Sequence, residues 1–203
     1  INASFLPNTV LAEMVSNLSL NQAIFKGDDV IAFYTHENQQ EVDFESYEII
    51  EFEGDCIKIE HTYDIFSHND AAIREDFEFL TQGRKSQQIP KSVNTIAKEN
   101  IFIEEGAKLE FVTLNATSGP IYIGKNTEIM EASVIRGPFA LCENGSVKMG
   151  SKIYGATTVG PYSRIGGEVK NAVIFSYSNK GHEGFLGDSV IGEWCNIGVD
   201  SNN

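Results

Sequence analysis

The chain has 203 residues, 41% of them apolar, and a formal charge of −14 at pH 7. This apolar content is enough to form a buried core, so a disordered chain is excluded. The strong negative charge excludes nucleic acid and anionic membrane surfaces as natural partners, although a local basic cluster can still bind phosphate. The cysteines are an odd, widely spaced set, and the sequence shows neither a membrane span nor a signal peptide. We therefore predict a cytoplasmic protein.

Residues 1–90 show the mixed periodicity of an α/β or α+β domain. The segment 7–19 ("PNTVLAEMVSNLS") has apolar residues at helical spacing behind Asn8 or Thr9, either of which can cap a helix. The segments 22–35 and 46–61 each predict two short strands around a turn. The segment from residue 69 to 82 predicts a second helix, capped by Asn69 or Asp70. The polar stretch "GRKSQQIPKS" that follows predicts a linker.

The second part of the chain carries an aliphatic residue at every sixth position. A period of six fits neither an α-helix nor an ordinary strand, and it indicates one inward residue on each short straight segment, followed by a corner. Three such segments make one triangular coil, and stacked coils bury the aliphatic residues along the axis. An irregular all-β domain would match this pattern only by chance. The residues in phase are Ile103, Leu109, Ile123, Ile129, Ile135, Leu141, Val147, Ile153, Val159 and Ile165.

The repeat breaks in the stretch "GGEVKNAVIFSYSNKGHEGF", which runs from residue 166 to 185. Counting back in sixes from Leu186 places Lys180 where an aliphatic residue is due, so the phase slips by three or one coil bulges. His182 lies beside this break, with glycine on both sides that would let another chain or a bulky cofactor approach. Because imidazole titrates near neutrality, we predict His182 as a general base, with a surface histidine in a loop as the alternative.

The segment "GHEGFLGDSVIGEWCNIG" (181–198), set in a hexapeptide solenoid, resembles the acetyltransferase domain of bifunctional N-acetylglucosamine-1-phosphate uridyltransferase / glucosamine-1-phosphate N-acetyltransferase (GlmU). The run from "TTVGPYSRIGG" onwards is still more similar to an alternative bacterial form described as a sugar nucleotidyltransferase. The resemblance covers residues 101–203, whereas residues 1–90 resemble only the C-terminal part of the nucleotidyltransferase domain. It implies that residues 91–203 form a left-handed parallel β-helix, cut short at its C-terminal end.

The family's activities imply an acyltransferase. Such an enzyme moves acetyl from acetyl-CoA to an amino-sugar phosphate, coupled in the full chain to sugar-1-phosphate nucleotidyl transfer and UDP-sugar synthesis. The resemblance also implies a homotrimer that builds its site between neighbouring solenoids. A nucleoside triphosphate and Mg²⁺ would be bound in the part of the nucleotidyltransferase domain that this chain lacks. No metal ligand is predicted within the chain.

The resemblance also assigns roles to individual residues. His182 would deprotonate the substrate amine, and Asn196 would orient that amine and the acetyl thioester. Arg164 and Lys170 fall near the basic residues that hold the sugar phosphate, and fixed cations are what phosphate requires. Ordinary solvated charges are the alternative for these two residues.

Two positions depart from the family's pattern. Phe185 replaces a tyrosine that contacts substrate, and Val199 replaces an alanine beside the expected CoA thioester. These departures keep two rival functions open. One is a uridylyl or thymidylyl sugar-1-phosphate nucleotidyltransferase with a purely structural, trimerising solenoid. The other is a non-catalytic scaffold that binds sugar phosphate.

Overall fold

In the computed structural model, which describes residues 1–36 and 42–203, the chain divides into the units Ile1–His61 and Thr62–Asn203. The second unit contains a helical segment as well as the whole solenoid. The sequence boundary between residues 90 and 91 stays a prediction about where one kind of domain ends and the next begins. No helix among the described residues has the length and apolar character needed to cross a membrane.

The first unit is a small α/β arrangement, as predicted. Its helix α1 begins where Asn8 Oδ1 accepts the Leu11 N–H at 2.9 Å. Strand β2 is the centre of a three-stranded sheet, antiparallel to β3 and parallel to β4, while β1 and β5 pair antiparallel. The elements are β1 Phe5–Leu6, α1 Thr9–Ser16, β2 Gln22–Lys26, β3 Asp29–Phe33, a short 3₁₀ turn Phe44–Ser46, β4 Glu48–Glu51 and β5 Ile57–Lys58.

The second unit opens with two helices, α2 Thr62–Ser67 and α3 Asn69–Thr81, of which only α3 was predicted. The predicted cap of α3 is wrong, because His68 occupies the cap position and Asn69 faces the solenoid. The buried Asn69 amide donates to the carbonyl of Ala156 at 2.8 Å and accepts from the hydroxyl of Thr158 at 2.8 Å. A residue type that usually caps a helix here docks the helix onto the solenoid.

The solenoid has three faces of stacked parallel strands, which confirms the predicted parallel β-helix. The first face contains β6 Asn94–Ile96, β9 Thr113–Asn115, β12 Val134–Arg136, β15 Lys152–Tyr154 and the first halves of β18 Glu168–Ile174 and β20 Phe185–Ile191. The second face contains β7 Ile101–Ile103, β10 Ile121–Ile123, β13 Phe139–Leu141, β16 Thr157–Val159 and the second halves of β18 and β20. The third face contains β8 Lys108–Leu109, β11 Glu128–Ile129, β14 Ser146–Val147, β17 Arg164–Ile165 and β19 Asn179–Lys180.

The predicted aliphatic ladder forms the core. All ten residues of the six-residue period are buried, none more than 2% exposed. Burial of one such side chain contributes roughly 1.5–3 kcal/mol to stability.

The first coil is covered by the segment that was predicted as a linker. There the Gln87 N–H donates to the carbonyl of Ile103 at 2.7 Å, and its side chain bonds the backbone of Gly106 and Ala107. The polar stretch therefore closes an edge that an open solenoid would expose.

Between the second and third faces, each corner has one residue in the left-handed backbone region. Early coils place Asn126 and Asn144 there, which tolerate this conformation well. Later coils place Tyr162, Tyr177 and Trp194, whose rings stack with centroids 5.2 and 4.5 Å apart. Left-handed backbone costs such a residue about 1–2 kcal/mol, and each stacked pair contributes roughly 0.5–1.5 kcal/mol. Stacking offsets much of the backbone cost.

The ladder predicts a graded response to core truncation. Ile153→Ala removes a side chain that is 1% exposed and should lower the free energy of unfolding by about 2–5 kcal/mol, because a cavity remains in a rigid stack. Met149→Ala, four residues earlier at a corner where the side chain is 66% exposed, is the matched control and should cost well under 1 kcal/mol. Urea unfolding followed by circular dichroism measures both. Equal effects would contradict the assignment of an inward ladder.

Candidate active site

One coil of the solenoid is three residues shorter than the coil below it and two residues shorter than the coil above it, in which Asn179 pairs with Asn196. Val147 and Ile165 are paired across coils and lie eighteen residues apart, whereas Ile165 and its next partner Lys180 lie only fifteen apart. This confirms the predicted phase slip of three. It also places Lys180 in the inward register of the aliphatic ladder.

Two of the three residues are lost at the corner that joins the third face to the first. The coil below uses four residues there, 148–151, and the short coil uses only Gly166 and Gly167. A Cβ on Gly166 would lie 2.5 Å from the carbonyl oxygen of Gly181, and Gly167 has a φ of +70°. Only glycine allows the next corner to approach this closely. That next corner, residues 181–184, returns to four residues and carries His182; we call it the histidine corner.

The edge beside the histidine corner is a column of glycines. The register places Gly166, Gly181 and Gly198 directly above one another on successive coils. Lys148 lies below them. A Cβ atom added to Gly166 would be 3.1 Å from the Lys148 Cβ, and a Cβ atom added to Gly181 would be 3.9 Å from the Lys148 Cε. The lysine stem therefore runs along this glycine column towards His182. Sequence reasoning missed Lys148, although its eighteen-residue spacing from Gly166 was visible.

His182 is exposed at this corner, and no side chain in the described ranges holds its imidazole by a hydrogen bond or an ion pair. Val199 occupies the equivalent position of the next corner, because the Asp200 N–H donates to the carbonyl of Glu183 at 3.0 Å. The predicted base and the predicted CoA-side residue are thus stacked on successive corners. The open ring faces solvent next to a strip of backbone without side chains.

The histidine corner is fastened from inside by Lys180. This side chain is 2% exposed, and its Nζ donates to the carbonyls of Gly166 at 3.0 Å, His182 at 2.8 Å and Gly184 at 2.8 Å. Burial lowers the pKa of the Lys180 ammonium, while the nearby carboxylates of Glu183 and Asp200 act in the opposite direction. A charged residue at the predicted aliphatic position is therefore fully hydrogen-bonded.

The third face carries a polar column that contains two of the predicted site residues. Arg164 pairs with Asn179, and Asn179 pairs with Asn196 in the next coil. The Asn179 side-chain amide donates to Asn196 Oδ1 at 2.7 Å. This bond leaves the two Asn196 amide N–H groups free to donate outward, since no described residue accepts from them. The column therefore offers one guanidinium and one oriented amide on the same surface.

Lys170 and Phe185 lie on the other side of the corner, on the first face. Lys170 pairs with Gly187 in the next coil. The Phe185 ring covers Gly187 so closely that a Cβ atom added to Gly187 would be 2.6 Å from the Phe185 Cζ. The predicted residues thus form two groups: one on the third face and one on the first face, with the histidine corner between them. The structure does not bring Arg164 and Lys170 onto the same face.

The coils that lead up to this corner are basic, in contrast to the chain as a whole. Residues 131–182 contain six lysines and arginines and three acidic residues, and the carboxylates of Glu183 and Asp200 follow at and next to the corner itself. Such a basic region on an acidic chain favours an anionic ligand, because fixed cations bind phosphate through charge-assisted hydrogen bonds. Among the described residues, no group of three or more His, Cys, Asp or Glu is placed to hold a metal ion. The six cations are Arg136, Lys148, Lys152, Arg164, Lys170 and Lys180.

Comparison with known proteins agrees with both parts of the chain. Residues 1–85 match the family model described as "Sugar nucleotidyl transferase". The bifunctional protein GlmU of Alkaliphilus metalliredigens is 30% identical over 166 residues, covering 70% of this chain and 36% of that protein. The chain is similar to GlmU. The resemblance predicted from the sequence is thereby confirmed.

Other GlmU proteins give the same result. GlmU of Thermus thermophilus is 29% identical over 146 residues (59% of this chain, 31% of that protein), and GlmU of Trichodesmium erythraeum is 34% identical over 80 residues (38% and 17%). The chain thus spans little more than a third of the GlmU relatives at most. A solved GDP-perosamine N-acetyl transferase of Caulobacter crescentus matches at a TM-score of 0.39 and 15% identity, covering 66% of this chain and 60% of that chain.

The tight corner yields a specific prediction. Gly166→Ala should destabilise the solenoid by several kcal/mol and displace the histidine corner, because its Cβ would overlap the backbone of residue 181. Gly150→Ala is the matched control at the corner below. It has a φ of +71° but open space around the Cβ position, so it should cost only about 1–2 kcal/mol. Thermal unfolding measures the difference, and equal melting temperatures would contradict the close approach.

Proposed function

We propose that this chain carries an acyltransferase site that moves acetyl from acetyl-CoA to the amine of an amino-sugar phosphate. The observation that carries the proposal is the histidine corner: an exposed imidazole beside a strip of bare backbone, with cations on both flanking faces. The strip formed by the glycine column suits an extended pantetheine arm, which needs close approach to backbone. The similarity to GlmU supports the same reaction class.

The chemistry follows from the positions of the side chains. Neutral His182 accepts a proton from the substrate amine as the amine nitrogen attacks the thioester carbonyl carbon. The new C–N bond forms, the C–S bond breaks, and the CoA thiolate leaves and takes up a proton. During the attack, negative charge develops on the carbonyl oxygen. The free amide N–H groups of Asn196 are the donors oriented to stabilise that charge.

The sugar phosphate would be held by the cations that flank the corner. Arg164 on the third face and Lys148 along the glycine column lie on one side, and Lys170 lies on the other. A guanidinium binds phosphate in two-pronged geometry, whereas a lysine ammonium acts as a point charge. Phe185 and Val199 shape the sugar and thioester sides, and their departure from the family's pattern favours a substrate that differs in detail from glucosamine-1-phosphate.

The open side of the histidine corner requires a wall. We propose that a neighbouring copy in a homotrimer supplies it, since an imidazole that faces bulk water on all sides cannot exclude water from the thioester. Analytical ultracentrifugation of the whole chain should then give a mass near three times 22.4 kDa. A monomer at micromolar concentration that still transfers acetyl would remove the need for a partner.

Residues 1–85 support a second activity in a longer protein. Their match to sugar nucleotidyl transferases favours a coupled transfer of a nucleotidyl group from a nucleoside triphosphate to the sugar-1-phosphate, with Mg²⁺ as the usual counter-ion of the phosphates.

We also propose a cytoplasmic location for the protein. The three unpaired cysteines support it, because a reducing compartment keeps thiols free.

The reaction is tested with the full-length protein, acetyl-CoA and glucosamine-1-phosphate or related amino-sugar phosphates, with CoA thiol release as the signal. His182→Ala should lower kcat at least 100-fold, because proton transfer to a positioned base contributes that much. His36→Ala, an exposed histidine of the first unit, is the matched control and should be neutral. An unchanged rate in His182→Ala would refute the base assignment. Pyrophosphate release from UTP or dTTP without any acetyl transfer would instead favour the structural solenoid.

The phosphate contacts predict a change in KM. Arg164→Ala should raise the KM for the sugar phosphate at least tenfold while the KM for acetyl-CoA stays within about twofold, because a charge-assisted bond to phosphate contributes about 1.5–3 kcal/mol. Lys98→Ala, an exposed lysine of the first coil, is the control of equal charge change. If both variants behave alike, Arg164 is only a solvated charge.

A further inference from the structure

Lys180 is a buried, charged side chain at an inward position that is aliphatic in the coils below. It occupies the ladder position that Leu109, Ile129, Val147 and Ile165 fill in the other coils. Burying an ammonium costs several kcal/mol that only good hydrogen bonds recover, whereas an aliphatic side chain at this position would leave the corner carbonyls without these donors. The residue must therefore supply something that an aliphatic ladder residue does not.

The three acceptors of Lys180 show what it supplies. All three are carbonyls of the two corners that join the third face to the first: Gly166 in the short corner, and His182 and Gly184 in the histidine corner. An ammonium has three N–H donors, and each finds one acceptor. One buried group thus ties His182 and the last residue of the histidine corner, Gly184, to the corner beneath it.

The imidazole itself has no such support. Its ring accepts and donates no hydrogen bond among the described residues, so its position is set by the backbone of the corner. That backbone contains two glycines, which allow more conformations than other residues and make its hydrogen bonds decisive for the position of the corner. Lys180 Nζ donates to the backbone carbonyl of His182, the proposed base, at 2.8 Å. Holding this carbonyl restrains the His182 backbone from which the imidazole side chain extends.

We propose that Lys180 is a positioning residue that holds the histidine corner so that His182 meets the acyl acceptor in one orientation. This inference rests on the proposed acetyl transfer. Lys180 does not touch substrate and takes no part in bond changes. Its ammonium acts through the three carbonyls, replacing the side-chain partner that orients a general base in other sites.

Two amides report on the corner without any activity assay. The Glu168 N–H donates to the Gly184 carbonyl at 3.2 Å, and the Asp200 N–H donates to the Glu183 carbonyl at 3.0 Å. In Lys180→Met, hydrogen exchange at both amides should accelerate at least tenfold, while the Lys108 amide, which donates to the Thr127 carbonyl in an early coil, keeps its rate. A folded Lys180→Met protein with unchanged exchange at Glu168 and Asp200 would overturn the anchoring role.

Kinetics separate positioning from general destabilisation. Lys180→Met should lower kcat about 10- to 100-fold and leave the KM for acetyl-CoA within about threefold, because a small displacement of the base slows the chemical step. Ile129→Ala, a buried ladder residue three coils below, is the control; it should lower the melting temperature without changing kcat. An unchanged kcat in Lys180→Met, or an equal fall in both variants, would overturn the proposal.

A rescue experiment covers the case in which Lys180→Met does not fold. In a background with Cys56, Cys142 and Cys195 replaced by alanine, Lys180→Cys is alkylated with 2-bromoethylamine while unfolded and then refolded, which restores an ammonium of nearly lysine length. Recovery of kcat and of slow exchange supports the role, and recovery of folding alone contradicts it. If the unmutated protein transfers no acetyl, the proposed function fails, and the exchange result still decides whether Lys180 anchors the corner.

Discussion

The backbone hydrogen bonds between successive coils are the interaction on which the rest of the structure depends. Each coil bonds only to the coils above and below it, so every straight segment must stay in register with its neighbours. The inward aliphatic side chains fix that register, because a slip of one residue would turn the ladder outward. Residues can therefore be gained or lost only at corners. The candidate site lies directly above the corner at which two residues are lost.

The shortened coil links this constraint to chemistry. Removal of two residues leaves a corner that only Gly166 and Gly167 can form, and the following corner then passes very close above it. This close approach brings three carbonyl oxygens to one buried point, where an apolar residue would leave them without donors. Lys180 satisfies them. The same geometry exposes His182 and creates the strip of bare backbone beside it.

The repeat in the sequence predicted which residues point inward. It did not predict the contacts that depend on how distant parts of the chain are aligned. The six-residue spacing identified ten inward ladder residues and the phase slip, and the composition around the break made His182 the predicted base. The same spacing could not show that Asn69 would dock a helix onto the solenoid instead of capping it, because capping is local and docking joins residues far apart in sequence. Lys148 was missed because its significance lies in the column above it. Arg164 and Lys170 are six residues apart, so the period itself places them on successive faces, and this separation could have been predicted.

The balance of free energies argues that this corner is shaped for function. A regular eighteen-residue coil with an aliphatic residue in place of Lys180 would bury more apolar surface, leave no ammonium to desolvate and need no paired glycines. Each of those choices favours stability, and the chain departs from all of them within residues 166–184. Departures from local rules that cluster in one place are expected where a protein keeps a site at the expense of its scaffold. The coil below keeps eighteen residues and the coil above has seventeen, so most of the loss lies in one coil, and strands of both neighbouring coils pair with it.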